Sequence, residues 1–268
     1  MRGYIFLTFV LLTISLHLTA LHPKKDYMVL PRHVELNPEI IKIKTKDGAT
    51  LHTWYFNNKG NHLIIMSHNG DGNMSDYFRH IKTFCDQGFD VLSYDYRGYG
   101  ESSAFDINPY QYIYTEFYVD FEAVLDYSLN RFSQNIIVYG WGIGGGIGLT
   151  KAYNRDGVSG IIADDPFFSY KVTHSSLSKL NAIMSFPIEV EKGQFDFKHP
   201  KHGKDLKGVL LFHGSNNFIY AYDELLHMSN SNSKISKENT YHINRRNYHV
   251  SLGESLYNQK IYEFIMNI

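Results

Sequence analysis

The residues of this chain that could do chemistry gather where apolar runs give way to short loops. Gly140-Trp141-Gly142-Ile143-Gly144 follows the apolar run Asn135–Tyr139 and leads into the helical stretch Gly144–Asn154. The free backbone N–H groups at such a helix start favour an anion or a polarised oxygen. Gly140, Gly142 and Gly145 also satisfy G-x-G-x-x-G, with Asp164 about twenty residues further on, the spacing of a dinucleotide-binding loop. That loop belongs on the first strand of its sheet, and here other strands precede it, so a nucleotide binder ranks third among the readings. His249 has the chemistry of a general base, and Ser67, Ser102, Ser169 and Ser215 are the hydroxyls to weigh as nucleophiles. His199, His202 and His213 raise the question of a metal. His199 and His202 sit in the lysine-rich loop HPKHGK with no carboxylate at compact ligand spacing, so a solvated loop is the weightier reading and no metal or cofactor is expected.

These loops need elements to hold them. Ile40–Thr45 and Leu51–Phe56 alternate around Asp47-Gly48, a hairpin signal. His62–His68, Asp90–Tyr96, Asn135–Tyr139, Gly160–Ala163 and Gly208–Phe212 are short apolar runs of the kind found in strands covered on both faces, and Thr240–Ile243 reads as a late strand. Asp76–Gly88, Phe117–Asn130, Gly144–Asn154, Glu224–Ser229 and Gly253–Ile268 have helical spacing. The alternation predicts an α/β domain, a mainly parallel central sheet with helices on both faces. Tyr170–Leu206 is less regular and suits a small cap. Tyr110, Tyr112, Tyr114, Phe117 and Tyr118 either line a pocket wall or pack in the core or on the surface. Asp95 and Arg97 read as a set that stabilises a turn rather than as substrate ligands.

The 268 residues carry 26 Lys and Arg against 27 Asp and Glu, a net charge of −1. A nucleic-acid binder usually shows a basic excess, so none is expected as a partner. The single cysteine, Cys85, excludes an intrachain disulfide and reads as a buried thiol. The chain opens with Arg2, an apolar run Tyr4–Leu16 and a small-residue site Leu18-Thr19-Ala20. This is the pattern of a secretory leader, with an uncleaved membrane anchor as the alternative. Residues 1–21 are therefore set apart as leader or anchor, 22–39 as a polar linker, and 40–268 as one domain. The protein is expected to be exported, secreted or periplasmic, or tethered to a membrane.

The order of the loops resembles the α/β-hydrolase superfamily, and most closely its short-lid, serine-aminopeptidase-like members. Gly140–Gly144 resembles the nucleophile elbow G-x-S-x-G. Ser67–Asn73 resembles the loop that helps form the oxyanion hole. Asp95–Ser102 matches D-x-R-G-x-G-x-S, Asp164–Ser169 resembles the P-F-x-S segment, Phe212–Asn217 resembles H-G-x-x-D, and Tyr248-His249 precedes the last helix. The resemblance spans about residues 40 to 268. It implies an α/β-hydrolase fold with triad positions at Gly142, Asn217 and His249. Two of the three have changed: glycine stands for the nucleophilic serine and asparagine for the acid. Asparagine can still orient an imidazole, and Asp164 or Asp165 could stand in, but glycine has no atom that attacks. The resemblance also implies that the Ile143 N–H and a loop N–H near Asn69 face the old oxyanion position. The reading is an exported pseudo-hydrolase that binds a small acyl or anionic ligand, or a protein partner, through the retained pocket. Its rival is an active ester, thioester or peptide hydrolase with a displaced nucleophile, for which none of the four serines stands on the elbow.

Overall fold

The computed structural model describes residues 20–198, 201–214, 234, 240–243 and 254–268. Within them an eight-stranded sheet runs β10 (Thr240–Ile243), β9 (Gly208–Gly214), β8 (Val158–Asp164), β7 (Asn135–Trp141), β4 (His62–Ser67), β6 (Asp90–Tyr94), β3 (Thr50–Phe56), β2 (Glu39–Lys44). β2 and β3 pair antiparallel, as their hairpin signal predicts, β3 meets β6 antiparallel, and every other neighbour is parallel. The strands β6 and β8 are buried along their whole length, which is why their sequences are apolar without alternation.

Helices cover both faces and split the core in two. On one side α2 (Thr115–Arg131) and α3 (Ile143–Ala152) bury Phe117, Phe121, Val124 and Ile147. On the other, α1 (Phe78–Asp86) and α6 (Glu254–Met266) bury Ile81, Phe84, Ile261 and Ile265. The expected helix from Asp76 begins instead as a 3₁₀ turn, Met74–Tyr77, before α1. Asn73 caps that turn, its Oδ1 accepting the Ser75 N–H at 3.0 Å while Asp76 accepts the Asn73 N–H at 2.8 Å. Cys85 is buried on α1, and burial pushes its thiol up to about 11. The cap contains α4 (Tyr170–Lys179) and α5 (Ile188–Glu191), with Ser169 accepting the Val172 N–H at the α4 start. The helix expected at Glu224–Ser229 lies outside the described residues.

The segment expected as a polar linker forms a strap fastened to the body. β1 (His22–Pro23) pairs parallel with β5 (Asp71–Gly72), and Leu21 is fully buried. The Gly100 N–H donates to the Lys24 carbonyl at 2.9 Å, the Tyr27 hydroxyl to Asp95 at 2.8 Å, and the Met28 N–H to the Ser75 hydroxyl at 2.9 Å. Lys24 pairs with Asp76 at 2.9 Å. A polar, proline-bearing stretch carries no periodicity, so its docking depends on partners that lie some fifty residues or more away in sequence.

The sheet order matters for function. β4 sits between β6 and β7, so the chain leaves β4 toward one side and returns on the other. Such a switch point opens a crevice beyond the carboxyl ends of the strands. Ser67 lies opposite Gly140, which brings the loop after β4 beside the turn after β7.

Candidate functional site

Gly142 occupies the turn between β7 and α3 with φ 50° and ψ −113°, a conformation that a side chain adopts only under strain. Three backbone bonds hold it there. Its N–H donates to the Asp164 carbonyl at 2.8 Å, and its carbonyl accepts from Gly146 and Phe167, each at 3.0 Å. The flanking glycines serve close approach: a Cβ on Gly140 would lie 2.5 Å from the Gly144 carbonyl carbon, and one on Gly144 would lie 2.5 Å from the Ser67 carbonyl oxygen. The glycine run is thus filled by protein on each side, and Gly145 faces the Gly140 carbonyl and Pro166 in the same way. This packing speaks against a pyrophosphate cradle at Gly140, Gly142 and Gly145.

The two backbone N–H groups expected to face the old oxyanion position, those of Ile143 and of the loop at Asn69, both have protein partners. The Ile143 N–H donates to Asn69 Oδ1 at 3.1 Å, and the Asn69 N–H donates to the Tyr77 hydroxyl at 3.2 Å. A Cβ on Gly142 would fall inside the contact shell of Asn69 Oδ1 and 2.7 Å from Asn69 Cγ. The carboxamide therefore stands both where the side chain of the elbow residue would begin and where an oxyanion would accept its bond. A carbonyl-type oxygen of the protein itself satisfies the helix start.

Asn217 and His249 lie outside the described residues, as do Ser215 and His199. The other serines are committed elsewhere. Ser67 is fully buried and shares a 3.0 Å hydrogen bond with the Tyr94 hydroxyl. Ser102 donates to the Asp95 carbonyl at 2.7 Å and accepts the His52 N–H at 2.9 Å, while Ser169 caps α4. His202 and His213 are not brought together as metal ligands: His202 Nδ1 lies 2.8 Å from the Gly203 carbonyl, and His213 is buried 3.4 Å from Asp165. The turn-stabilising reading of Arg97 holds. Its guanidinium makes paired bonds to Asp47 at 2.7 and 2.9 Å and reaches Asp120 at 2.6 and 2.8 Å. Among the five aromatics, Tyr112, Phe117 and Tyr118 are buried in the core, whereas Tyr110 is 45% exposed.

Sequence reasoning missed two polar groupings beside the elbow. Tyr257 on α6 donates to Asp164 at 2.6 Å and lies 2.5 Å from the Tyr139 hydroxyl, and burial pushes both phenols well above their ordinary range. Trp141 packs over Tyr139, Tyr77 and His80. These partners are up to 118 residues apart, so only the fold assembles them. The second grouping lies under the loop after β4. His68 is buried between Tyr96 and Tyr99, and its Nδ1 accepts the Gly70 N–H at 3.1 Å. Its Nε2 lies 3.8 Å from Asp95, and burial pulls the imidazole down to about 3. Asp95 accepts from Met74 N–H and Tyr27, yet burial raises it to about 7.

A central parallel sheet with a switch point at β4, a glycine-lined elbow after β7 and an oxyanion-type loop after β4 define an α/β-hydrolase fold. Over residues 58–194 the chain matches the serine aminopeptidase (S33) family model, and it belongs to that family. The esterase Pf2001 of Pyrococcus furiosus superposes with a TM-score of 0.70 at 15% identity, covering 93% of this chain and 97% of that one. Est1E of Butyrivibrio proteoclasticus, with ferulic acid bound, gives a TM-score of 0.59 at 18% identity, covering 85% and 98%. Among curated relatives, WAV2 of Arabidopsis thaliana, an α/β-hydrolase domain-containing protein, is 29% identical over 155 residues, covering 54% of this chain and 48% of WAV2. The uncharacterized protein YfhR of Escherichia coli is 26% identical over 143 residues, covering 49% and 48%. The chain thus spans about half the length of the curated relatives it matches.

Proposed function

We propose that this protein is an exported α/β-hydrolase-fold protein that does not perform acyl transfer and that uses the elbow as a binding site for a carbonyl or carboxylate oxygen, carried by a small ligand or a protein partner. The observation that supports the reading is the Asn69 carboxamide on the Ile143 N–H, in the space that a side chain at residue 142 would need. A nucleophile is missing and its place is filled. In serine hydrolases the loss of one triad member alone leaves only about 10³–10⁴-fold acceleration over water. The amide that binds Asn69 Oδ1 is a donor suited to an external oxygen, which would take the place of the asparagine side chain. Est1E holds ferulic acid, a carboxylate, on the same fold, and that class of ligand suits this site.

The test is turnover of a panel of nitrophenyl esters and aminoacyl amides by the purified chain. The expected result is no rate above buffer. Saturable turnover would favour a displaced nucleophile instead.

A further inference from the structure

The hairpin of β2 and β3 presents two faces. Ile41 and Ile43 are buried on one, and Ile40 and Lys42 alternate onto the other, where Ile40 is 50% exposed. The register sets Ile40 against Trp54 and Lys42 against His52. The strap covers this second face. Tyr27 packs on Trp54 with ring centroids 4.9 Å apart, and the chain then runs through the 3₁₀ turn Pro31–Val34 to the start of β2 at Glu39. Strap and hairpin leave between them a cavity of about 360 Å³, with Trp54, Leu30, Leu36, Pro38 and Ile40 as its apolar lining. Small-molecule sites fall in the range of about 300–1,000 Å³. The cavity lies at the β2 edge of the sheet and shares no lining residue with the elbow.

Its polar lining is Tyr27, Arg32, Asn37, Lys42, His52 and Glu101. The Lys42 ammonium donates to His52 Nδ1 at 2.6 Å, and burial pulls this imidazole down to about 4. The ring is neutral, so its proton sits on Nε2, and among the described residues nothing accepts it. Glu101 is the acid of the lining. It stands 3.7 Å from Lys42 and 3.2 Å from His52, so its charge is already met. Of the nearby acids outside the lining, Glu39 is held by Arg131 at 3.0 Å. Arg32 is exposed and makes no ion pair among the described residues. A planar guanidinium fork matches a carboxylate with two parallel bonds. The donors left for a ligand are therefore Arg32 and the His52 Nε2–H, beside a wall of tryptophan and aliphatic side chains.

We propose that this cavity is a second ligand site, which takes a small organic carboxylate with a flat apolar body, its head held by Arg32 and His52 and its body against Trp54 and Ile40. The proposal is independent of what the elbow binds. Its occupant would tie the strap to the hairpin, and the strap pairs through His22–Pro23 with Asp71–Gly72 in the loop that carries Asn69.

The test is photolabelling of the purified full chain with benzoylbenzoate, a two-ring carboxylate, mapped by peptide mass spectrometry. Saturable label is expected within residues 27–54. Naphthoate should compete for it, and naphthamide, which has the same rings without the charge, should compete about tenfold less well. Arg32→Gln and Ile40→Glu change exposed side chains, and the first should weaken labelling about tenfold while the second, which sets an acid against the ligand, should abolish it. Label that does not saturate, naphthamide competing as well as naphthoate, or undiminished labelling in both variants would overturn the proposal. Label confined to the peptides of Asn69 and Ile143 would also overturn it while supporting a ligand at the elbow. Label at residues 27–54 with none at the elbow would leave this site standing and count against that one.

Discussion

At the scale of single residues, Gly142 and Asn69 act as a pair. A serine at 142 meets two obstacles, the left-handed backbone and the Asn69 carboxamide. Backbone strain alone costs about 1–3 kcal/mol. Gly142→Ser is therefore expected to lower stability by at least that much in urea titration. Asn69→Ala should recover part of the loss in the Gly142→Ser background, although alone it removes a hydrogen bond and destabilises by about 1 kcal/mol. A double-mutant cycle that is simply additive would contradict the contact. Asn69→Ala also frees the Ile143 N–H, so it should bind ferulate or a similar carboxylate more tightly than wild type, as read by calorimetry. Equal affinity would show that the asparagine does not occupy the ligand position.

At the scale of elements, the strap is the part that composition hides. Leu21→Ala removes a fully buried side chain from beneath the loop after β4, and a loss of about 2–5 kcal/mol is expected in thermal or urea unfolding. A change under 1 kcal/mol, roughly what an exposed site gives, would mean that the strap is not docked. The sheet itself was legible because its inner strands are short apolar runs and its first two alternate around a hairpin turn, and the elbow was legible because Gly140 and Gly144 must be small where strand and helix touch. The position of Gly142 followed from that spacing. The direction of the Asn69 side chain did not, because a rotamer within a loop leaves no periodic trace. Nor did the contacts of Tyr27 with Asp95, or of Tyr257 with Asp164, which join residues 68 and 93 apart.

At the scale of the whole molecule, buried imidazoles set the response to acid. Burial lowers His68 to about 3, and His52 and His213 to about 4, from an ordinary value of 6.5. The unfolded chain therefore binds these protons first, and the stability present above pH 6.5 is lost progressively as pH falls toward 4. Asp95 works the other way. Its carboxyl keeps a proton up to about 7, so it contributes most at low pH and that contribution fades as pH rises toward 7. Burial raises Asp120 to about 6 in the same sense. Three histidines stand against these two aspartates, and the melting temperature is expected to fall between pH 6.5 and 5. A melting temperature that rises on acidification over that range would reverse the assignment. The same fold that holds these groups away from water holds an elbow with no side chain at its tip, and the claim that acyl transfer has been given up is tested most directly there. The measurement is the stoichiometry of fluorophosphonate labelling on the purified full chain, mapped by peptide mass spectrometry. The account predicts no labelled serine. One equivalent of label on any single serine would contradict it.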